Sequence, residues 1–256
     1  MRDFASLRAP QVSEMVSNEA ILVQPVGAIE QHGPHLPFNT DYVIADESAR
    51  TLADRHGEDL DLWLLPTIAY SKSDEHSWSD GTVWMSSATM LSMLDDLGRS
   101  LTRLPAARLV FLNAHGGNSS LLNVACRDLR RVHGLSTFLL HPFVPPDQGG
   151  ESASSEQGLG IHGGHLETSL MLHLRPDLVD MSAASPNLPQ QLMSNQFVRF
   201  GGTGSFGWLS DDFGPDGHIG DPTGATSEDG RVAFEAAIDM LVASLGEIRD
   251  FEVRRR

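Results

Sequence analysis

Hydrophobic residues follow two patterns along the chain. In the first, short runs of mostly apolar residues follow one another, as is typical of strands buried on both faces of a sheet. These runs predict strands at 21–28, 62–66, 108–113 and 136–141. In the second, apolar residues recur at helical spacing, most regularly at Met90, Leu94, Leu97 and Leu101. This spacing predicts helices at 42–55, 87–104, 119–132, 165–174 and 227–248.

The predicted strands and helices alternate along the chain, which indicates an α/β fold with a mostly parallel central sheet covered on both faces. Two segments, 144–160 and 201–224, are rich in Gly and polar residues and predict long loops near a site. Regular segments resume directly after each loop. A chain of 256 residues is also a common length for one α/β unit. We therefore expect a single domain over residues 1–256.

Acidic residues outnumber basic ones, with 34 Asp and Glu against 18 Lys and Arg, giving a formal net charge of −16. Such a surface repels phosphate backbones and anionic lipids, so we expect neither nucleic acid nor a membrane as partner. No stretch approaches the roughly 20 apolar residues of a spanning helix, and the first residues lack the apolar core of a signal peptide. The lone Cys126 cannot form an internal disulfide. We expect a cytoplasmic location.

Carboxylate and imidazole side chains gather where predicted strands end. Glu30 and His32 follow the first strand, Asp41 opens the next helix, and His115 follows the third strand. Ligands lie beyond the carboxyl ends of parallel strands, so these side chains are candidates for one site. This mixture of oxygen and nitrogen ligands suits zinc, manganese or iron. One carboxylate can bridge two ions, and such a pair activates water for hydrolysis.

Two further clusters are candidates for catalysis and substrate binding. His162 precedes the helix at 165–174, and Glu167 lies in its first turn. We interpret His162 as a general acid or base, or as a clamp on a transition-state oxygen; Glu167 either serves catalysis or only charges the helix N-terminus. His76 and Trp78, after the second strand, are candidate substrate contacts, unless that loop is simply solvated.

Other signals favour structural roles. The pattern G-x-G-x-x-G at 202–207 is not followed by a clear helix, so a dinucleotide site is disfavoured. Cys126 lies within an amphipathic helical pattern and is interpreted as packing. His56, His133 and His173 lie near predicted helix ends, where a histidine favours the helix dipole.

The run Glu30-Gln31-His32-Gly33-Pro34-His35-Leu36-Pro37, with Asp41 after it, resembles the metal motif of the creatininase family of metal-dependent amidohydrolases. The resemblance extends to segments 75–76, 81–82, 113–118, 162–169 and 220–226. It implies a three-layer α/β/α fold, two divalent metal ions per chain (Zn, Mn or Fe), and a homo-oligomer, often a hexamer. By position it implies a catalytic His162 and four metal ligands, of which Asp41 bridges the ions: Glu30, His32, Asp41 and His115.

The chain departs from creatininase itself at two places. Gly117 stands where creatininase has a glutamate ligand, so Glu167 or a water would have to replace that ligand. Residues 158–161 stand where creatininase has a Trp and a Glu, which disfavours creatinine as the substrate. The Gly-Gly-Asn sequence at 116–118 resembles other branches, among them a deformylase of flavin precursor synthesis and the mycofactocin precursor peptide peptidase.

We therefore expect a metal-dependent amidohydrolase that cleaves a C–N amide-type bond with a metal-activated water. The substrate would be a small-molecule amide, such as a cyclic amide or formamide, or a short peptide. The alternatives are a mycofactocin-type precursor peptide peptidase and a metal-binding paralogue without hydrolase activity.

Overall fold

A computed structural model describes residues 2–145 and 148–251 of the chain. The expected domain and the predicted loop at 144–160 therefore both extend over positions outside the described residues. The described residues contain four strands, β1 Ile21–Val26, β2 Leu62–Leu64, β3 Arg108–Asn113 and β4 Ser136–Leu140. Its α-helices are α1 Ala9–Met15, α2 Thr40–His56, α3 Ser87–Leu101, α4 Ser119–His133, α5 His165–Leu174, α6 Gln190–Met193 and α7 Ser227–Asp250.

The strands form one parallel sheet in the order β2-β1-β3-β4. In its register, Ile21 lies opposite both Leu62 and Arg108, and Arg108 lies opposite Ser136. Because the strands are parallel, the segments that follow β1 and β3 leave the same edge of the sheet. The predicted parallel sheet is confirmed.

Alternate strand residues face two separate cores, because successive side chains of a strand point to opposite faces. Leu22, Trp63 and Phe111 pack with α3 and α4 on one face. Ile21 and Val110 pack with α2, α5 and α7 on the other. Helices thus cover both faces, and the three-layer α/β/α architecture is confirmed. Within the described residues, no helix is both long enough and apolar enough to span a bilayer.

The boundaries differ slightly from the predictions. The strand predicted at 21–28 ends at Val26, and one isolated parallel bridge pairs that residue with Ile68. The helix predicted from 42 begins at Thr40, so Asp41 lies in its first turn, near the positive end of the helix dipole. Neither α1 nor α6 is predicted by the hydrophobic pattern; α1 has no fully buried residue and so lacks a strong apolar stripe.

The close packing of α7 on α5 supports the segment that carries Glu167. Gly230 of α7 faces the backbone of α5, and a Cβ atom built on it would lie 1.8 Å from the carbonyl oxygen of Ser169. A side chain at this position would therefore push the two helices apart. Gly246 of the same helix has no atom within 4 Å of such a Cβ.

We predict that Gly230→Ala lowers the free energy of unfolding by roughly 1–3 kcal/mol, because it overpacks a helix contact that has no space. The matched substitution Gly246→Ala in the same helix should raise it by up to ~1 kcal/mol through helix propensity alone. Urea denaturation of both variants measures the difference. Equal stability of the two variants would contradict the close contact between α5 and α7.

Candidate metal centre

Glu30 lies at the centre of a fully buried group of side chains beyond the end of β1. Its Oε2 accepts a hydrogen bond from the Ser73 hydroxyl. Its Oε1 has no hydrogen-bond partner, although four imidazole nitrogens surround it. They are His115 Nδ1 at 3.3 Å, His76 Nε2 at 3.4 Å, His162 Nδ1 at 3.6 Å and His32 Nε2 at 4.0 Å.

Asp41 lies between two of these imidazoles. Its Oδ1 is 3.1 Å from His32 Nε2, and its Oδ2 is 3.1 Å from His115 Nδ1. Asp41 Oδ2, like Glu30 Oε1, is buried without a hydrogen-bond partner. The first turn of α2 therefore supplies a carboxylate with one oxygen for each side of the cluster.

In each imidazole beside Asp41, the ring nitrogen that faces away from Asp41 forms a hydrogen bond with a main-chain carbonyl oxygen. His32 Nδ1 lies 3.2 Å from the oxygen of Glu30, and His115 Nε2 lies 3.0 Å from the oxygen of Lys72. Hydrogen bonds of this kind set which nitrogen keeps its lone pair. The nitrogens that face Asp41 are therefore the ones free to bind a cation.

Glu167 completes the other side of the cluster. Its Oε2 accepts a hydrogen bond from the Gly163 N–H at 2.6 Å and lies 4.0 Å from His32 Nε2. Two sets of three potential ligands thus share Asp41: Glu30, Asp41 and His115, and His32, Asp41 and Glu167. A third set consists of Glu30, His32 and His162.

The residues fit a divalent cation. Two ligand atoms bound tetrahedrally at ~2.1 Å from one ion lie ~3.4 Å apart, which is close to the separations around Glu30 Oε1. A buried carboxylate oxygen without a partner is costly, and this cluster contains two of them. A cation bound among the three carboxylates would satisfy both oxygens.

The pKa values of the cluster residues also indicate that positive charge is stabilised at this position. Burial alone would lower the pKa of His32, but Asp41, Glu167 and Glu30 outweigh it and raise that pKa to about 10. The pKa of His115 is raised well above its usual value, because Glu30, Asp41 and Glu75 overcome burial. Burial, with Asp41 and Glu30 nearby, raises the pKa of Glu167 to about 7 despite the opposing effect of His32.

His162 and His76 face Glu30 from the other side, with ring centroids 4.2 Å apart and ring planes tilted by 31°. Burial is the largest cause of a lowered pKa in each, and the neighbouring histidines add to it. Both rings are therefore neutral near pH 7, as a proton acceptor or a neutral hydrogen-bond donor must be.

The space beside Gly117 is filled by Glu75, which belongs to the short turn after Ser73. A Cβ atom at position 117 would lie 1.8 Å from Glu75 Oε1. That oxygen lies 3.4 Å from His115 Nε2, and Lys72 Nζ lies 2.5 Å from the other oxygen of Glu75. Burial raises the pKa of Glu75, but His115 and Lys72 outweigh it and hold that pKa below its usual range. A carboxylate thus lies behind His115, on the side away from Asp41.

A cavity of about 750 Å³ opens above the cluster. Its floor includes polar side chains of the cluster, namely Asp41, Glu75, His76, His115, His162 and Glu167. Its walls are largely apolar, with Leu91, Leu121, Val124, Phe143, Val144, Phe206 and Trp208. The predicted loops at 144–160 and 201–224 both contribute to these walls.

The structure brings Glu30, His32, Asp41, His115, His162, Glu167 and His76 together, and places Trp78 apart from them. Trp78 is not among the described residues that line the cavity. Its indole N–H donates to Ser210 Oγ at 2.7 Å, so it anchors the 201–224 loop. Substrate binding by Trp78 stays a prediction.

The sequence pattern does not reveal the contacts of Glu75 and Gln31, although both residues lie in the segments that resemble creatininase. The side-chain amide nitrogen of Gln31 contacts His76 and His162, and the carboxylate of Glu75 contacts His115. A polar residue next to each candidate histidine was the available signal. Spacing alone does not show which imidazole it contacts.

Comparisons with known proteins identify the family of this chain. A family model described as creatininase, creatinine amidohydrolase, matches residues 5–245. The mycofactocin precursor peptide peptidase of Mycobacterium tuberculosis (strain ATCC 25618 / H37Rv) is 37% identical over 235 residues, which cover 89% of this chain and 85% of that protein. The creatinine amidohydrolase of Pseudomonas putida is 32% identical over 194 residues, covering 69% and 73%.

Solved creatininase structures share the fold. One described as the crystal structure of creatinine amidohydrolase (creatininase) superposes with a TM-score of 0.74 at 24% identity, covering 98% of this chain and 99% of that one. Another, described as creatininase Mn, gives a TM-score of 0.73 at 24% identity, covering 96% and 98%. The match to the family model and the coverage of the relatives show that this chain belongs to the creatininase family and is a hydrolase acting on carbon–nitrogen bonds.

Proposed function

We propose that this protein is a metal-dependent peptidase of the mycofactocin precursor peptide type. The observation that carries this proposal is the carboxylate and imidazole cluster, with its two partnerless buried oxygens, on the floor of a cavity of about 750 Å³. Cavities of ~300–1,000 Å³ accommodate ligands of drug size, and creatinine is a single small ring. The apolar walls suit the side chains of a peptide.

In this proposal, Glu30, Asp41 and His115 would hold one divalent ion, and His32, Asp41 and Glu167 would hold a second. Divalent ions in such a site polarise a carbonyl group and lower the pKa of water. Glu167 replaces the carboxylate missing at Gly117, so its role is that of a ligand rather than of a catalytic acid. The choice among zinc, manganese and iron depends on their supply as well as on affinity.

His162 transfers the proton during hydrolysis. It takes a proton from the attacking water and gives it to the leaving nitrogen, so that the amide becomes a carboxylic acid and an amine. His76 contacts the substrate at its carbonyl oxygen. A cytoplasmic location and a homo-oligomer, often a hexamer in this family, stay predictions.

Turnover of a synthetic mycofactocin precursor peptide by the purified protein, followed by mass spectrometry, tests this function directly. We expect cleavage of a peptide bond in the precursor and no hydrolysis of creatinine under the same conditions. Faster hydrolysis of creatinine would favour the small cyclic amide instead. Bound metal without turnover of either substrate would favour the non-hydrolytic paralogue.

We predict two divalent ions per chain in protein purified without a chelator, measured by elemental analysis. His32→Ala and Asp41→Ala should each lose metal and activity, because each removes a ligand. Circular dichroism should show that both variants remain folded. His56→Ala, a change far along α2 from the ligands, is the control that should keep both ions. Unchanged metal content in both ligand variants would contradict the site.

We predict that Gly117→Ala weakens metal binding ~10- to 100-fold, the usual effect of disturbing the group behind a ligand. The new methyl group would displace the Glu75 carboxylate and with it His115. Gly116→Ala is the matched control, since a Cβ atom at position 116 would lie no closer than 3.8 Å to its nearest neighbour, a side-chain carbon of Pro145. Titration with manganese monitored by calorimetry gives both affinities. Equal affinities would show that Glu75 does not support His115.

We predict that manganese binding releases more protons at pH 6 than at pH 8. His32, with a pKa of about 10, must release a proton to the solvent when it binds the ion at either pH. Glu167, with a pKa of about 7, carries a proton mainly at pH 6 and must lose it there as well. Metal affinity therefore falls as the pH decreases through 7.

Calorimetry in buffers of different ionisation enthalpy counts these protons. In Glu167→Gln, the difference between pH 6 and pH 8 should disappear, because the titrating carboxyl group is gone. A wild-type proton count that does not change with pH would refute the role of Glu167 as a ligand.

A further inference from the structure

Gln31 lies under the two imidazoles that face Glu30, and its side chain is held in one orientation. Its Oε1 accepts a hydrogen bond from the Gly33 N–H at 2.9 Å, and its Nε2 donates to the carbonyl oxygen of Gly217 at 3.0 Å. In the opposite orientation, the amide nitrogen would face the Gly33 N–H and the amide oxygen would face the Gly217 carbonyl oxygen, so neither hydrogen bond could form. One amide N–H therefore remains for another partner.

That partner is His76. Gln31 Nε2 lies 2.9 Å from His76 Nδ1, with Ser210 Oγ farther away at 3.4 Å. A nitrogen that accepts a hydrogen bond carries no proton, so His76 must carry its proton on Nε2. His76 Nε2 lies 3.4 Å from Glu30 Oε1. The N–H of His76 is thus directed toward the cluster.

The main-chain carbonyl of Gln31 contacts His162, which therefore acts as a hydrogen-bond donor to Gln31, whereas His76 acts as an acceptor. His162 Nε2 lies 2.6 Å from the carbonyl oxygen of Gln31, and a contact this short between nitrogen and a carbonyl oxygen requires a proton on the nitrogen. Nε2 therefore cannot accept the Gln31 amide N–H, which is 3.3 Å away. The lone pair of His162 is on Nδ1, 3.6 Å from Glu30 Oε1.

We propose that Gln31 is a positioning residue that sets the two imidazoles in complementary tautomers, His76 as the hydrogen-bond donor and His162 as the proton acceptor of amide hydrolysis. This proposal rests on the proposed function. His162 Nδ1 takes a proton from water as the water oxygen bonds to the carbonyl carbon. The same proton then passes to the leaving nitrogen as the C–N bond breaks. The Nε2–H of His76 stabilises the negative charge that develops on the carbonyl oxygen.

The tautomers can be measured without any substrate. Nitrogen chemical shifts of ¹⁵N-histidine-labelled, zinc-loaded protein distinguish a protonated from an unprotonated ring nitrogen, and the spectrum of His76→Asn identifies the signals of His76. We expect the His76 proton on Nε2 in the wild type. A His76 proton on Nδ1 in the wild type would overturn the proposal, whatever the variants do.

Gln31→Met removes the amide without adding charge. We expect His76 then to populate both tautomers, and kcat for the precursor peptide to fall ~10- to 100-fold, as on losing a group that orients a functional imidazole, with zinc content and KM unchanged. Ser210→Ala is the matched control: it removes another neighbour of the same amide and should leave the His76 signals unchanged.

An unchanged His76 tautomer in Gln31→Met would also overturn the proposal. Failure of the proposed function is a separate result: the wild type would then cleave no peptide, while the nitrogen spectrum would still report the tautomers.

Discussion

The gathering of three carboxylates in one cluster, with Glu30 and Asp41 buried and Glu167 partly buried, is the constraint on which the rest of this structure depends. Such a group is unstable in a protein interior unless positive charge accompanies it. Protons on His32 and His115 supply that charge when no ion is bound, which is why both have raised pKa values. A divalent ion supplies it more effectively, since it also satisfies the two carboxylate oxygens that have no partner.

The absence of a side chain at Gly117 leaves space for another residue of the cluster. Judged by resemblance alone, it is a lost metal ligand. In the fold, the space beside it contains Glu75, which contacts His115 and is paired with Lys72. A carboxylate behind a ligating histidine orients the ring and raises its basicity. The first turn of α5 supplies Glu167 on the opposite side, so the number of carboxylates close to the cluster does not depend on position 117.

The long loop at 201–224 connects the wall of the cavity to the chemistry beneath it. Phe206 and Trp208 line the cavity, while Ser210 accepts from the Trp78 indole and lies beside the Gln31 amide. Gly217 fixes that amide through its carbonyl group. The same loop therefore lines the cavity and holds the residue that we propose sets the tautomers of His76 and His162.

The sequence by itself determined the parallel sheet and the helices on both faces, because hydrophobic periodicity is a local property of the chain. It also determined where the candidate site lies, because the residues that follow each strand can be read directly from the sequence. It also determined the motif that carries Glu30, His32 and Asp41. Only the tertiary structure decided that Glu167 lies beside these candidate ligands, that Glu75 fills the space at Gly117, and that Trp78 turns toward Ser210 instead of the cavity. Each of these depends on side chains far apart in the chain meeting at distances of a few ångströms, which spacing along the sequence does not encode.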